Sequence, residues 1–293
     1  MAHIPILKLD SAKRKPITIS GRQPWWRLDL NGLAKGSDLL FLLVRRDFVT
    51  SYKQTILGPL WVIIQSLMGS AVFTIVFGKI AGLSTDGHPI FLFYLCGTLA
   101  WQYFGSVFGI GSNSLQSNLP LFSKVYFNRL IPPFAQAISS LINFAIQLVV
   151  FFLALGVHLH ANPESSVGPG LSALFLPLLV FQSAILGLGL GFIISAASVK
   201  YRDLGRLAGL FTQFLMYATP VIYPISEIPM DYRPYMSWNP LTFIVESFRH
   251  LLLGHSTACT LEYAIPSIAT TLFIFLVGLI FYNNTQRTYV DYV

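Results

Sequence analysis

Few side chains in this sequence stand where chemistry would put them. Glu246 precedes Arg249 by three positions and His250 by four, a spacing that gathers them on one helical face and lets their charges neutralise. His158 and His160 are two apart, so they point to different helical faces and mark an outer water interface rather than a ligand pair. Asp86, Glu164, Glu227, Asp231 and Glu262 are scattered, without the pairing that an enzyme acting on sugars uses. Gly78-Lys79-Ile80 is the nearest approach to a phosphate loop, and it lacks both the glycine spacing and the hydroxyl. This chain is therefore expected to hold no ATP site of that kind. G-x-S-x-G, H-E-x-x-H and C-x-x-C do not occur, and no metal set is expected. Cys96 and Cys259 cannot define a disulfide framework, and Cys96 reads as a small buried hydrophobe. No long apolar stretch carries the carboxylate of a proton relay, which disfavours ion-coupled transport.

What remains is surface for a ligand rather than machinery for a reaction. Aromatic residues make up 14% of the chain. Sugar rings present apolar C–H faces that lie well on aromatic rings, while their hydroxyls find polar partners. Tyr94, Trp101, Tyr103, Phe104 and Phe108 crowd into one stretch and are candidates for that role. Helix packing is the competing role for each of them.

The elements that would position these residues belong in a membrane. The chain has 293 residues, 54% hydrophobic and only 11% charged, with a mean hydropathy of +0.63. Soluble domains carry roughly a quarter charged residues. A bilayer core of about 30 Å needs roughly 20 helical residues to cross it. Charge-free stretches of that order recur at 54–78, 87–123, 130–163, 165–199, 207–226 and 263–286. They do not alternate apolar and polar residues as barrel strands do, so helices are expected. The fold class is all-α integral membrane with six spans, near 58–78, 89–111, 133–155, 171–197, 207–221 and 263–282.

Charge sets the orientation. With six spans, sixteen of the nineteen Lys and Arg residues fall on one side, leaving Lys79, Arg233 and Arg249 on the other. That side is the cytoplasm by the positive-inside rule, so both termini are expected there. The net charge of +7 is then a matter of topology, with no nucleic acid implied. The first 53 residues are too polar for a secretory signal.

Residues 1–36 form a basic cytoplasmic arm, 37–285 the membrane domain and 286–293 a cytoplasmic tail. Ser37 can cap a helix starting near Asp38, with Leu39, Leu40, Leu43, Val44 and Phe48 on one face, as in a helix lying in the membrane interface. A short helix is expected at 121–127. Prolines 220, 224, 229, 234 and 240 break up the segment 219–254, whose last part, 241–253, reads as one helix too short to span. A hairpin dipping into the outer leaflet is expected there, with an ordinary exposed loop as the alternative. No internal repeat is evident, so a closed path between such helices needs a second copy, a homodimer.

Several motifs lie in register with this plan. They are Arg46-Asp47-Phe48, Tyr52-Lys53-Gln54-Thr55 and Leu57-Gly58-Pro59-Leu60-Trp61; Leu121-Phe122-Ser123-Lys124-Val125-Tyr126, with Arg129 and Pro132; Tyr201-Arg202-Asp203-Leu204; Thr219-Pro220-Val221-Ile222-Tyr223; and Asn239-Pro240-Leu241, with Glu246, Phe248-Arg249 and Gly254. Across about 37–285 the sequence resembles the permease subunits of polysaccharide-exporting ABC transporters of the ABC-2 class. These carry O-antigen, capsule or teichoic-acid chains.

The resemblance implies a homodimer joined to two ATP-hydrolysing subunits, which bind the ATP and Mg, in a bacterial cytoplasmic (inner) membrane. Its cargo would be a polymer on a polyprenyl diphosphate lipid. It further implies that Arg46, Asp47, Tyr52, Lys53 and Gln54 form the cytoplasmic entrance, where a cation can meet the diphosphate. A plain Arg46–Asp47 neighbourhood plus positive-inside topology is the alternative. Ser51 stands where that family usually has a basic residue, which leaves fewer cations for phosphate. The resemblance assigns Leu121, Phe122, Ser123, Lys124, Tyr126 and Arg129 to coupling with the ATPase. Tyr223, Asn239, Pro240, Glu246 and Arg249 fall in an external gate. An ABC-2 exporter of drugs or small lipids, and a membrane glycan-transferring enzyme, are the competing functions.

Overall fold

The computed structural model describes residues 36–53, 57–118, 127–201, 203–254 and 260–288. Every regular element among them is helical, as the apolar runs require. In chain order these are α1 (Ser37–Tyr52), α2 (Leu60–Phe73, continued by π-helical Thr74–Ile80), α3 (Ile90–Ser117) and α4 (Ile131–Ala161). Then follow α5 (Leu176–Lys200, after a 3-10 turn at Leu171–Phe175), α6 (Asp203–Tyr217), α7 (Arg233–Ser237), α8 (Pro240–Leu253) and α9 (Leu261–Thr288). Five are long and apolar enough to cross a bilayer: Leu60–Ile80, Ile90–Ser117, Ile131–Ala161, Leu171–Lys200 and Leu261–Gln286.

The expected span 207–221 takes a different form. α6 starts and stops four residues earlier and is 15 residues long, short of the roughly 20 that a bilayer asks. Its neighbours nonetheless follow α3 along most of its length. Gly205 sits against Gln116, Phe211 lies 5.8 Å from Phe108, and Thr212 is beside Gly105. Met216 packs on the cluster of Phe93, Tyr94 and Ile222.

α3 is the central helix, packed against α5, α4, α8, α2 and α6. Glycines bring its neighbours close. In α5, Gly187 and Gly191 face α3, where a Cβ would lie 3.1 Å from the Phe108 amide nitrogen and 2.7 Å from the Gly111 Cα. Gly189 turns to α9, where a Cβ would lie 2.7 Å from the Phe275 Cα. Small residues that let backbones approach are what hold helices together in lipid, since lipid supplies no hydrophobic drive between them. Buried polar contacts add to this. Ser70 meets Thr98 at 2.9 Å between α2 and α3, and Gln182 Nε2 donates to Ser267 Oγ at 2.8 Å between α5 and α9.

α1 lays Leu43 on Ile131 and Ala135 of α4, with Leu39, Leu40 and Val44 around it. Phe41 and Phe48 stay exposed on its other flank. The expected Ser37 cap is corrected. Ser37 is already helical, whereas a cap residue must be non-helical, and Gly36 holds the cap position without a side-chain bond.

Candidate functional site

At the expected entrance, the Arg46 guanidinium donates to Asp47 Oδ1 from Nη2 at 2.8 Å and from Nε at 3.0 Å. The two charges are paired with each other at a partly exposed position. Lys53 follows at the exposed end of α1, where its amide bonds the Val49 carbonyl. The Tyr52 side chain and Gln54 lie outside the described residues, as do Leu121, Phe122, Ser123, Lys124 and Tyr126. Arg129 is described. It donates from Nη1 to the Gln286 carbonyl, and its own carbonyl accepts from Tyr282 Oη at 3.3 Å. Arg129 thus ties the start of α4 to the end of α9.

The five candidate aromatics of α3, Tyr94, Trp101, Tyr103, Phe104 and Phe108, are all buried within the protomer. Tyr94 packs on Phe73, Trp101 on Phe104, and Phe104 stacks on Phe108 with ring planes 12° apart. This arrangement favours packing over sugar contact for those four. Tyr103 differs, because it also borders a polar cavity.

The segment expected to form the external gate is tightly built around α8. Asn239 caps it: Oδ1 accepts from the Leu241 amide at 3.1 Å, and Nδ2 donates to the Ala218 carbonyl at 3.2 Å. Pro240 takes the first helical position, where its missing N–H costs nothing. Gly254 ends the helix with φ +100, a left-handed turn that a side chain would strain. The expected 241–253 helix is therefore present, one residue longer. It is buried almost all round, with Phe248 6.0 Å from Phe144 in α4.

At its heart is a buried ion pair. Arg249 Nη1 donates to Glu246 Oε1 at 2.7 Å, with side-chain exposures of 1% and 3%. Arg249 Nη2 donates to the Val221 carbonyl at 2.6 Å, and the guanidinium lies 3.8 Å over the Phe93 ring. The neutralisation read from the i, i+3 spacing is realised, and it pins α8 to both α3 and the turn after α6. Gly97 makes room for this: a Cβ there would lie 2.9 Å from the Val221 oxygen and 3.0 Å from Arg249 Nη2. Tyr223 donates to the Tyr217 carbonyl at 2.9 Å. Outside, Ser226 donates to Asp86 at 2.6 Å, and Arg233 braces the Ser226 and Ile228 carbonyls.

Sequence reasoning missed the alternating glycines of α5 and a set of polar residues on α2, α3 and α4. Gln65, Gln102, Ser106, Ser140, Asn143 and Gln147 line one cavity of about 370 Å³. Their spacing on each helix was legible, but apolar neighbours hide them in any hydropathy window.

A bundle of long apolar helices with a buried charge pair under one connection and a polar recess is the architecture of a polytopic membrane protein. Residues 38–253 match the ABC-2 type transporter family, and the chain belongs to it. Among its relatives is the O-antigen export system permease protein RfbA of Klebsiella pneumoniae, 25% identical over 257 residues, 87% of this chain and 94% of that protein. The RfbA of Myxococcus xanthus is 26% identical over 74% of this chain and 81% of its own length. The polysialic acid transport protein KpsM of Escherichia coli is 24% identical over 85% of this chain and 93% of its own.

Proposed function

We propose that this chain is the permease subunit of an ABC transporter that exports a lipid-linked polysaccharide, an O-antigen or capsule-type glycan on polyprenyl diphosphate, across the bacterial inner membrane. Two copies form the membrane part, and two separate ATPase subunits bind ATP and Mg and drive it. The observation that carries this reading is the near full-length similarity to permeases named for O-antigen and polysialic acid transport.

The geometry is compatible at three points. The short α6 and the turn after it accompany α3 from Gln116 to Gly97, which supports a sixth crossing and two cytoplasmic ends. Arg46 in the second half of α1 and Lys53 at its end precede α2, on the side where a diphosphate would enter. The α8 helix, with Phe248 reaching Phe144, supports an external segment that dips between the spans.

The test is export in inside-out vesicles carrying the chain with and without its ATPase partner. ATP-dependent uptake of the host's lipid-linked glycan is expected only with both. Uptake that persists without any ATPase would defeat the reading.

A further inference from the structure

Every residue of α8 is buried within the protomer except Phe243 and His250, which are partly exposed. Their spacing of two helical turns places them on one face. Both border a second recess, of about 410 Å³, and Ser247 and Leu251 complete the wall that α8 gives it. That volume lies within the range of roughly 300–1,000 Å³ typical of small-ligand sites. The opposite flank of α8 is the one held by Arg249 on the Val221 carbonyl and by Phe248 on Phe144.

The other walls belong to α5 and α9. Beyond the recess, at Gly189, these two helices touch backbone to backbone: a Cβ there would lie 2.7 Å from the Phe275 Cα. Two turns earlier in α5 they are bridged by the length of a glutamine instead. Gln182 Nε2 donates to Ser267 Oγ at 2.8 Å and to Thr271 Oγ1 at 3.4 Å. The helices therefore part towards their starts, and the recess is the cleft between them. Its rim is Phe175, Leu178 and Phe181 on one side and Ile268 and Leu272 on the other, all exposed. These lie on two of the segments long and apolar enough to cross a bilayer, so the medium at the mouth is hydrocarbon. From Phe175 to Ile185 the cleft follows α5 for about 15 Å, half of a bilayer core of about 30 Å. Among the described residues its lining holds no carboxylate, lysine or arginine. The Gln182 amide is spent on the two hydroxyls, and Ser267 in turn donates to the Pro240 carbonyl at 3.0 Å, so an apolar occupant strands neither group.

We infer that this cleft is a binding site for one fatty-acyl chain of a membrane phospholipid, lying lengthwise between α5 and α9 with α8 at its back. The cleft opens where α5 and α9 begin, in the outer leaflet under the six-span reading, so the headgroup stays at the water interface. A phospholipid chain reaches about half the depth of the core, and that is where the glycine contact shuts the cleft. A polyprenyl chain is several times longer and would run past the closure. A void beside Phe243 and His250 would forfeit their dispersion contacts on one side, and the chain restores them. It thereby completes the packing of the helix that carries the buried ion pair. The site does not depend on what the protein exports.

The test uses the full-length chain in membranes whose phospholipids carry a fatty acid with a terminal diazirine. The protein is extracted in detergent with an excess of unlabelled phospholipid, which exchanges loosely held lipid. It is then irradiated, and the cross-linked residues are located by mass spectrometry. Label is expected on Leu178, Ile268 and Leu272 and not on Leu153, an exposed apolar residue of α4 outside the cleft. Ile268→Trp fills the cleft and should abolish that label. The map of the parent chain decides even if this variant fails to fold. Equal label at Leu153 and at the walls, no label at the walls, or label that persists in a folded Ile268→Trp chain overturns the site. Label at the walls from a diazirine-bearing polyprenyl phosphate, with none from the phospholipid, overturns the choice of chain. A disulfide between two copies carrying Leu272→Cys, with Cys96→Ala and Cys259→Ala, also overturns it, because the face would then meet a second protomer.

Discussion

Replacing Arg249 by Met should unfold the external segment, and replacing its partner as well should restore it. The guanidinium is 1% exposed, 2.7 Å from Glu246 and 2.6 Å from the Val221 carbonyl. Removing one member of such a pair leaves a buried carboxylate uncompensated, at about 3–5 kcal/mol. The Val221 carbonyl also loses a donor, worth about 1–3 kcal/mol, and Phe93 loses a cation over its ring, worth about 2 kcal/mol when desolvated. These contributions share one side chain and do not add, so a loss of about 4–5 kcal/mol is the working figure. For a chain of this size that lowers the melting temperature by on the order of 10 °C. Arg249→Met combined with Glu246→Leu removes both charges and leaves an apolar pair. Exchanging a whole buried pair in this way is often neutral or stabilising, so most of the loss should return. The assay is thermal unfolding of the detergent-solubilised complex, with all variants at one scan rate because such unfolding is irreversible. If the double variant is as unstable as Arg249→Met, or if Arg249→Met melts like the parent, the pair is not what holds α8 in place.

Gly191→Val places methyl groups where a Cβ alone would sit 2.7 Å from Gly111, and should destabilise the complex by about 1–3 kcal/mol through overpacking, read as a lower melting temperature. Phe122→Ala and Tyr126→Ala should leave the ATPase turning over while export falls, measured side by side in vesicles; unchanged export and ATPase rates would remove the docking role. Reporter enzymes active only outside the membrane should be silent when fused to either terminus. Activity at one end and silence at the other would mean an odd number of crossings.

Elements with local signals were legible from sequence. The Asn239-Pro240 start and Gly254 stop delimit α8 because a cap, a first-turn proline and a left-handed glycine each act within a few residues. The Glu246–Arg249 pair followed from helical spacing alone, but its ties to Val221 and Phe93 did not, since both lie far away in sequence. The α6 boundaries were misplaced because a charge-free window ignores Asp203, which opens the helix and suits its N-terminal dipole. Composition marked the aromatics of α3 as a possible sugar surface. It could not say which way a ring faces in a helix packed on nearly every side, and all five candidates are buried against neighbours, Tyr103 against Phe144.

The parity of the crossings rests on α6, and here length and contact disagree. Its 15 residues rise about 22 Å, short of a bilayer core of about 30 Å. Yet the chain from Gly205 to Val221 passes Gln116, Phe108, Gly105 and Gly97 of α3 in that order, and α3 itself is 28 residues long. These contacts are what the six-span reading proposed above requires of a segment that runs alongside α3. The missing length is made up by the turn after Tyr217, whose Val221 carbonyl would be an orphan acceptor at membrane depth without the Arg249 guanidinium. In the six-span reading proposed above, a shorter helix suffices because a buried cation completes the crossing. That links the ion pair of α8 to the count of spans, and the count of spans to the side on which each terminus lies.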